Sequence, residues 1–225
     1  MIWGSLEERR QRERNRAIKI SLLLFAAFLL VTEQVLTKSF LYHLDHKIKG
    51  IRHHTFRGMS SHLLLALDDL GLRSLTATCL LFTAVLIAFR FKSWRPINFS
   101  LAALLLLNGV VGVAKIIFGR SKPRLGLDVY HSGIVGSYPS GHSSNALLTW
   151  GALAYLIYRY TQFGAKRLRA LYVLVGVVAS TVCLVSLIRN THWFSDLIGG
   201  AFLGGSILVF LIAADRAWPS QRQPS

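Results

Sequence analysis

Acidic residues are scarce in this sequence. Ten Asp and Glu stand against 26 Lys and Arg among 225 residues, and after Asp69 the only carboxylates are those of Asp128, Asp196 and Asp215. The resulting net charge of +16 would suit a nucleic-acid binder, but only 16% of the residues are charged, against about a quarter in an ordinary soluble domain. The low charge content therefore argues against a cationic soluble domain and against nucleic acid as a partner.

Cysteine is nearly absent as well. Cys79 and Cys183 are the only two, and both lie inside apolar runs, where a thiol behaves as a small hydrophobe. Neither a disulfide framework nor a thiolate metal site is indicated, so we expect no metal and no cofactor.

Apolar sequence, in contrast, is abundant. Hydrophobic residues make up 52% of the chain and gather in long blocks separated by short basic patches, a pattern typical of a multi-span membrane protein. We predict one all-α, polytopic membrane domain over residues 1–225, a bundle of six transmembrane helices. The expected spans are 18–37, 72–91, 98–118, 143–160, 170–188 and 195–214.

The segments between and beside these spans can also be interpreted. Residues 38–71 are expected to lie along the outer interface as one or two short helices, and the histidines between His43 and His62 are assigned no role. Gly200 and Gly204 form a small-xxx-small pattern that predicts close helix packing.

Orientation follows from the basic residues. The arginine-rich N-terminus precedes an apolar run, but no small-residue cleavage site follows, so we interpret residues 18–37 as an uncleaved first helix. With the N-terminus inside, 15 Lys and Arg fall on the inner side and 11 on the outer side. This bias predicts a protein of the cytoplasmic (inner) membrane with segments 1–17 and 216–225 in the cytoplasm.

Three polar clusters fall on the predicted outer side, and the first is cationic. It closes the third span with the sequence KIIFGRSKPR, residues 115–124. A lysine near a helix end usually snorkels, but here Arg120, Lys122 and Arg124 follow Lys115 at once. So many like charges predict an anion nearby, with all four cations facing it.

The second cluster, GSYPSGHSSN at residues 136–145, stands immediately before the fourth span. The free N–H groups at the start of a helix form an anion site, to which Ser140 can add a hydroxyl and His142 a proton. An ordinary helix N-cap explains the serines equally well.

The third cluster joins the fifth and sixth spans and contains Arg189, His192 and Asp196. His192 and Asp196 are four residues apart, so they lie within one helical turn if the sixth helix begins near Trp193. An Asp beside a His fixes its tautomer and raises its basicity, as an imidazole nucleophile requires. The clusters together predict a phosphate site in which one histidine attacks phosphorus and the other protonates the leaving oxygen, without a metal.

In this order the clusters resemble the type 2 phosphatidic acid phosphatase (PAP2) family of membrane lipid phosphatases, whose pattern reads K-x6-R-P, P-S-G-H and S-R-x5-H-x3-D. The resemblance implies that His192 is a nucleophile forming a phosphohistidine, that Asp196 orients it, and that His142 is the general acid. It also implies that phosphoryl oxygens are held by Lys115, Lys122, Ser140 and the Gly141 backbone.

Two positions depart from the family pattern. Lys122 replaces an arginine, which keeps the charge but loses the planar fork of the guanidinium. Ser186 replaces the arginine six residues before His192. We hypothesise that Arg189, close to one helical turn further on, reaches the same phosphate.

The expected function is hydrolysis of a lipid phosphate or diphosphate at the outer face of the membrane. Undecaprenyl diphosphate, phosphatidylglycerol phosphate, phosphatidic acid and lipid A 1-phosphate are candidates, and the outward site favours the polyprenyl carrier. The alternatives are a lipid phosphotransferase using the same residues, an inactive family member, and a membrane protein whose cations form an anion pathway.

Overall fold

The chain is helical throughout the part that the structure describes. That structure is a computed structural model, and it describes residues 2–55, 61–125, 128, 136–161 and 165–217. The helices in these ranges are α1 (Ile2–Leu36), α2 (Phe40–Thr55), α3 (Ser61–Asp68), α4 (Arg73–Phe91), α5 (Arg95–Phe118), α6 (Gly141–Tyr160), α7 (Ala165–Ile188) and α8 (Phe194–Ala217). Two short 3₁₀ turns occupy Asp69–Gly71 and Pro123–Leu125. The predicted all-α class is confirmed.

Several helices are suited to a bilayer. In the described residues, α1, α4, α5, α7 and α8 are long and apolar enough to cross a membrane. The protein is therefore a multi-pass membrane protein, as predicted. The remaining predicted span, α6, is a helix but does not belong to this set, because its first half carries buried polar side chains. The count of six spans stays a prediction.

Helix α6 occupies the centre of the bundle. It packs against α4, α5, α7 and α8, while α1 runs along α8. A Cβ added at Gly200 would lie 2.5 Å from the carbonyl oxygen of Ser140, and one at Gly204 would lie 2.7 Å from that of Ser144. Helix α8 thus approaches the start of α6 at a distance that only glycine permits, which is the close packing that the small-residue pattern predicted.

Helix α1 combines a basic N-terminal segment with an apolar part that packs against α8. The helix begins at Ile2, well before the apolar run, so the basic segment is helical within the described residues. An ion pair between Arg12 and Glu8, 3.7 Å apart, is of the i, i+4 kind that supports an exposed helix. Further along α1, Ser21 and Ser206 each donate a hydrogen bond to the other's carbonyl oxygen at 2.9 Å, which joins α1 to α8.

The segment between α1 and α4 forms two helices, α2 and α3, as the sequence predicted, with residues 56–60 outside the described ranges. Two of its three carboxylates, Asp45 and Asp68, are buried, with 1% and 5% of their surfaces exposed. The segment therefore folds against the bundle. Its position at the membrane surface stays a prediction, and the end of the tail, 218–225, lies outside the described residues.

Candidate active site

The first two sequence clusters meet where α5 ends and α6 begins. Helix α5 ends at Phe118 and is capped by Gly119, whose φ of 50° is left-handed and whose N–H donates to the carbonyl oxygen of Lys115. A Cβ at Gly136 would lie 2.8 Å from that same oxygen, and a Cβ at Gly141 would lie 3.9 Å from Nζ of Lys115. The lysine amine therefore lies beside the N-terminus of α6.

The third cluster is bound to the second by hydrogen bonds. The N–H of Ser140 donates to the carbonyl oxygen of Asp196 at 2.9 Å, and Oγ of Ser143 donates to that of Leu197 at 2.7 Å. Oγ of Ser144 donates to the carbonyl oxygen of Gly200 at 2.9 Å. These bonds align the first turns of α6 and α8, so all three clusters share one end of the bundle.

Two histidines face one another in this region. Nδ1 of His192 lies 3.4 Å from Oδ2 of Asp196, at the long end of hydrogen-bond distance, and the N–H of Trp193 donates to the same oxygen at 3.0 Å. The ring centroids of His142 and His192 are 6.1 Å apart. Because Nδ1 faces the carboxylate, Nε2 lies on the opposite side of the ring, away from Asp196.

Charges converge on His142. Its imidazole interacts electrostatically with Asp68, His192, Lys115 and Lys122. Arg73, at the start of α4, interacts electrostatically with Lys115. Lys115 and Lys122 therefore bring positive charge to the neighbourhood of His142, and such charge favours a bound anion.

Arg120 does not take part in that cationic surface. Its side chain is fully buried, and its guanidinium donates to Asp45 at 2.9 Å, to Asp128 at 2.8 and 3.0 Å, to Asp196 at 3.1 Å and to Oγ of Ser195 at 2.8 Å. The expectation that Arg120 faces the anion with its neighbours is wrong. Three carboxylates, two of them distant in sequence from the cluster, neutralise it instead.

Asp45 was not predicted to belong to the site. Burial raises the pKa of its carboxyl above the ordinary value, while Arg120 and two hydrogen bonds from Ser195 offset part of that rise. The guanidinium thus compensates some of the cost of enclosing this carboxylate in α2. His46, one residue later, lies 3.4 Å from Asp128 and packs its ring 5.0 Å from that of Trp193.

Asp68 is a second residue that the sequence reasoning missed. Its Oδ1 accepts a hydrogen bond from Oγ of Ser186 at 2.9 Å, and its Oδ2 pairs with the guanidinium of Arg189. Ser186 stands where the family has an arginine. Asp68 therefore contacts both that position and Arg189, which follows about one helical turn later. Its position pointed to a role, because a carboxylate in or beside a membrane segment is usually paired or functional.

Ser140 acts as a helix cap. Its side chain is fully buried, and its Oγ accepts a hydrogen bond from the N–H of Ser143 at 3.3 Å. This contact agrees with the N-cap interpretation of the serine. A phosphate contact by its hydroxyl stays a prediction.

Comparison with known proteins gives the family. The model of the PAP2 superfamily matches residues 96–219, more than half of the chain and all three clusters. This protein belongs to the PAP2 superfamily. The resemblance drawn from the three motifs is therefore confirmed.

Two curated relatives of this PAP2 protein are phosphatases by name. Phosphatidylglycerophosphatase B of Bacillus subtilis (strain 168) is 34% identical over 76 residues, covering 34% of this chain and 37% of that protein. Lipid A 1-phosphatase of Porphyromonas gingivalis is 32% identical over 117 residues, covering 51% of this chain and 23% of that protein. The matches thus span well under half of the relatives' own lengths.

A solved structure shares the fold. The crystal structure of the first transmembrane PAP2 type phosphatidylglycerolphosphate phosphatase, from Bacillus subtilis, superposes with a TM-score of 0.78 and covers 90% of this chain and 98% of its own, at 21% identity. The helical bundle of this PAP2 protein is therefore an established membrane fold.

Proposed function

We propose that this PAP2 protein is a membrane phosphatase that hydrolyses a phosphate monoester or diphosphate of a lipid through a phosphohistidine intermediate. The observation that carries the proposal is the arrangement of two histidines 6.1 Å apart, one of which has a buried carboxylate at its Nδ1. Two rings this close to one another can act on the same phosphoryl group.

In the first step, Nε2 of His192 attacks phosphorus while the bond to the leaving oxygen breaks and His142 gives that oxygen its proton. In the second step, His142 takes a proton from water, the hydroxide attacks the phosphohistidine, and inorganic phosphate leaves with His192 regenerated. Asp196 holds the Nδ1 proton of His192 throughout, because a fixed tautomer keeps Nε2 nucleophilic. Neither step requires a metal.

Cations hold the phosphoryl oxygens in this proposal. Lys115 and Lys122 interact electrostatically with His142. The backbone N–H of Gly141 lies at the start of α6, where the helix dipole favours an anion. The negative charge on the equatorial oxygens increases in the transition state, so such donors lower the barrier more than they strengthen ground-state binding. Arg189, held by Asp68, replaces the family arginine missing at Ser186.

A lipid substrate fits a site at one end of a membrane bundle. The acyl or prenyl tail stays in the bilayer while the head group reaches the histidines. The names of the relatives make phosphatidylglycerol phosphate and lipid A 1-phosphate candidates beside phosphatidic acid. The excess of basic residues on the opposite side supports a site at the outer face of the cytoplasmic membrane, and a site there favours undecaprenyl diphosphate.

The test is a substrate screen with the purified protein in detergent. Each of the four lipids is supplied in turn, and free phosphate is measured together with the phosphorylation of an acceptor lipid. We expect phosphate release from at least one lipid. Transfer to the acceptor without free phosphate would identify a phosphotransferase, and no turnover of any lipid would contradict the proposed activity.

A further inference from the structure

Arg120 is a fully enclosed charged group near the proposed site. Its side chain has no exposed surface, so it cannot touch a substrate. Its guanidinium instead donates hydrogen bonds from Nη1 to Oδ1 of Asp196 and Oγ of Ser195. The Nη2 and Nε groups donate to the carboxylates of Asp45 and Asp128. Arg120 takes no direct part in either step of the proposed reaction.

Two further contacts restrain the guanidinium. Oδ1 of Asp45 accepts the N–H of Ser195 at 2.8 Å while its Oδ2 binds Arg120, so one carboxylate ties the arginine to the first turn of α8. The indole of Trp193 lies against the guanidinium, with the central carbon 4.8 Å from the ring centroid. A cation held on its edges and on one face has little freedom to move.

The carboxylate of Asp196 is consequently held at both oxygens. Arg120 donates to Oδ1, while Oδ2 accepts the N–H of Trp193 and faces Nδ1 of His192. Rotation of the carboxylate would break the contact with Arg120, so the guanidinium and the N–H of Trp193 together fix which way Oδ2 points.

We propose that Arg120 is a positioning residue whose guanidinium, anchored by Asp45 and Asp128, directs the Asp196 carboxylate at His192. This inference rests on the proposed role of His192 as nucleophile. It also makes α2 part of the catalytic support, since Asp45 comes from the segment before the second span.

Charge repulsion gives the physical reason. Without the guanidinium, Asp196 would share a buried space with the carboxylates of Asp45 and Asp128, and like charges at such distances repel strongly. Asp196 would then turn or take up a proton, and His192 would lose the partner that fixes its tautomer.

A double-mutant cycle tests whether Arg120 acts through Asp196. We expect Arg120→Gln to lower kcat about 10- to 100-fold with KM within about twofold of wild type, the scale found for groups that orient a catalytic ligand. In an Asp196→Asn background the same change should lower kcat less than about twofold, because residues that act as one unit are not additive. Arg120→Lys, which keeps the charge and loses the fork, should recover part of kcat and remains testable if Arg120→Gln fails to fold.

Arg95→Gln is the matched control. Arg95 is another arginine with a partly buried carboxylate partner, Asp215 at 2.6 Å, but α5 places it about 30 Å from Lys115. It should lower thermal stability while leaving kcat per folded molecule unchanged. Full additivity of Arg120→Gln with Asp196→Asn, or wild-type kcat in both Arg120 variants, would overturn the positioning role. Activity retained in His192→Ala would instead overturn the proposed function itself.

Discussion

Arg189 forms an ion pair with Asp68, a residue 121 positions earlier in the chain. The carboxylate of Asp68 also accepts the hydroxyl of Ser186, so it connects the position of the missing family arginine with the arginine that follows it. The guanidinium is thereby held at the end of α7 beside the site, with about a quarter of its side chain exposed (28%).

The first prediction concerns that arginine. Arg189→Ala should raise KM about 10- to 100-fold, corresponding to the roughly 1.5–3 kcal/mol of a hydrogen bond to a charged group. Ser186→Arg introduced into Arg189→Ala should restore much of the affinity, because it returns the guanidinium to the family position. Steady-state kinetics on the best lipid measures both.

The control for this pair is Arg169→Ala, which removes an exposed arginine from the opposite end of α7. Its KM should match that of the wild type. If Arg189→Ala behaves in the same way as this control, another cation holds the phosphate.

The second prediction concerns the nucleophile. His192→Ala should lower turnover by at least about 10³-fold, the scale for loss of a covalent catalyst, while the thermal unfolding temperature stays close to that of the wild type. His62→Ala, at an exposed histidine of α3, is the matched control and should keep full activity. Turnover near the wild-type rate in His192→Ala would remove this residue from the mechanism.

The third prediction concerns the absence of a metal from the mechanism. Treatment with EDTA should leave the rate unchanged, because lysines and backbone N–H groups supply the positive field at the phosphate. Vanadate, a mimic of pentacoordinate phosphorus, should inhibit in competition with the lipid. Activity lost in EDTA and recovered on adding Mg²⁺ would contradict the mechanism.

The fourth prediction concerns the contact between α6 and α8. Gly200→Ala puts a methyl group 2.5 Å from the carbonyl oxygen of Ser140, so it should destabilise the fold by about 1–3 kcal/mol and lower activity with it. Gly176→Ala, in α7, meets no atom within 4 Å and should be neutral or stabilising by up to about 1 kcal/mol. Equal unfolding temperatures for the two variants would show that the close approach has no energetic consequence.

The fifth prediction concerns orientation. In a background where Cys79 and Cys183 are replaced by alanine, Arg124→Cys should react with a membrane-impermeant thiol reagent added to intact cells, whereas Lys166→Cys should react only after lysis. Both positions are exposed, and they lie on opposite predicted sides. The reverse pattern would place the site in the cytoplasm.

Much of the architecture was predictable because it depends on local sequence. Long apolar runs predict spanning helices, and the observed α4 and α5 begin and end within about three residues of the predicted limits. Gly119 and Ser140 mark helix ends through backbone conformation and capping, which involve only near neighbours. The polar helix α6 was also predicted as a helix, although its polarity keeps it outside the set that hydropathy recognises.

The candidate site was predictable in part. His142, His192 and Asp196 were singled out by spacing and by their place at helix ends, and the structure brings them together. Arg120 was misinterpreted as part of the cationic surface, since it follows Lys115 closely in the chain and two of its three carboxylate partners, Asp45 and Asp196, are distant in sequence. Its assignment required partners that only folding reveals.

The amino-acid sequence alone therefore determined the membrane class, the helices and the three motifs, because hydropathy, caps and short spacings act over a few residues. The tertiary structure decided which partners the buried carboxylates of Asp45 and Asp68 contact. Asp45 reaches Arg120 across 75 residues, and Asp68 reaches Ser186 across 118. Buried charges need opposite partners, but the burial that creates this need arises only when α2, α3, α6 and α8 pack together.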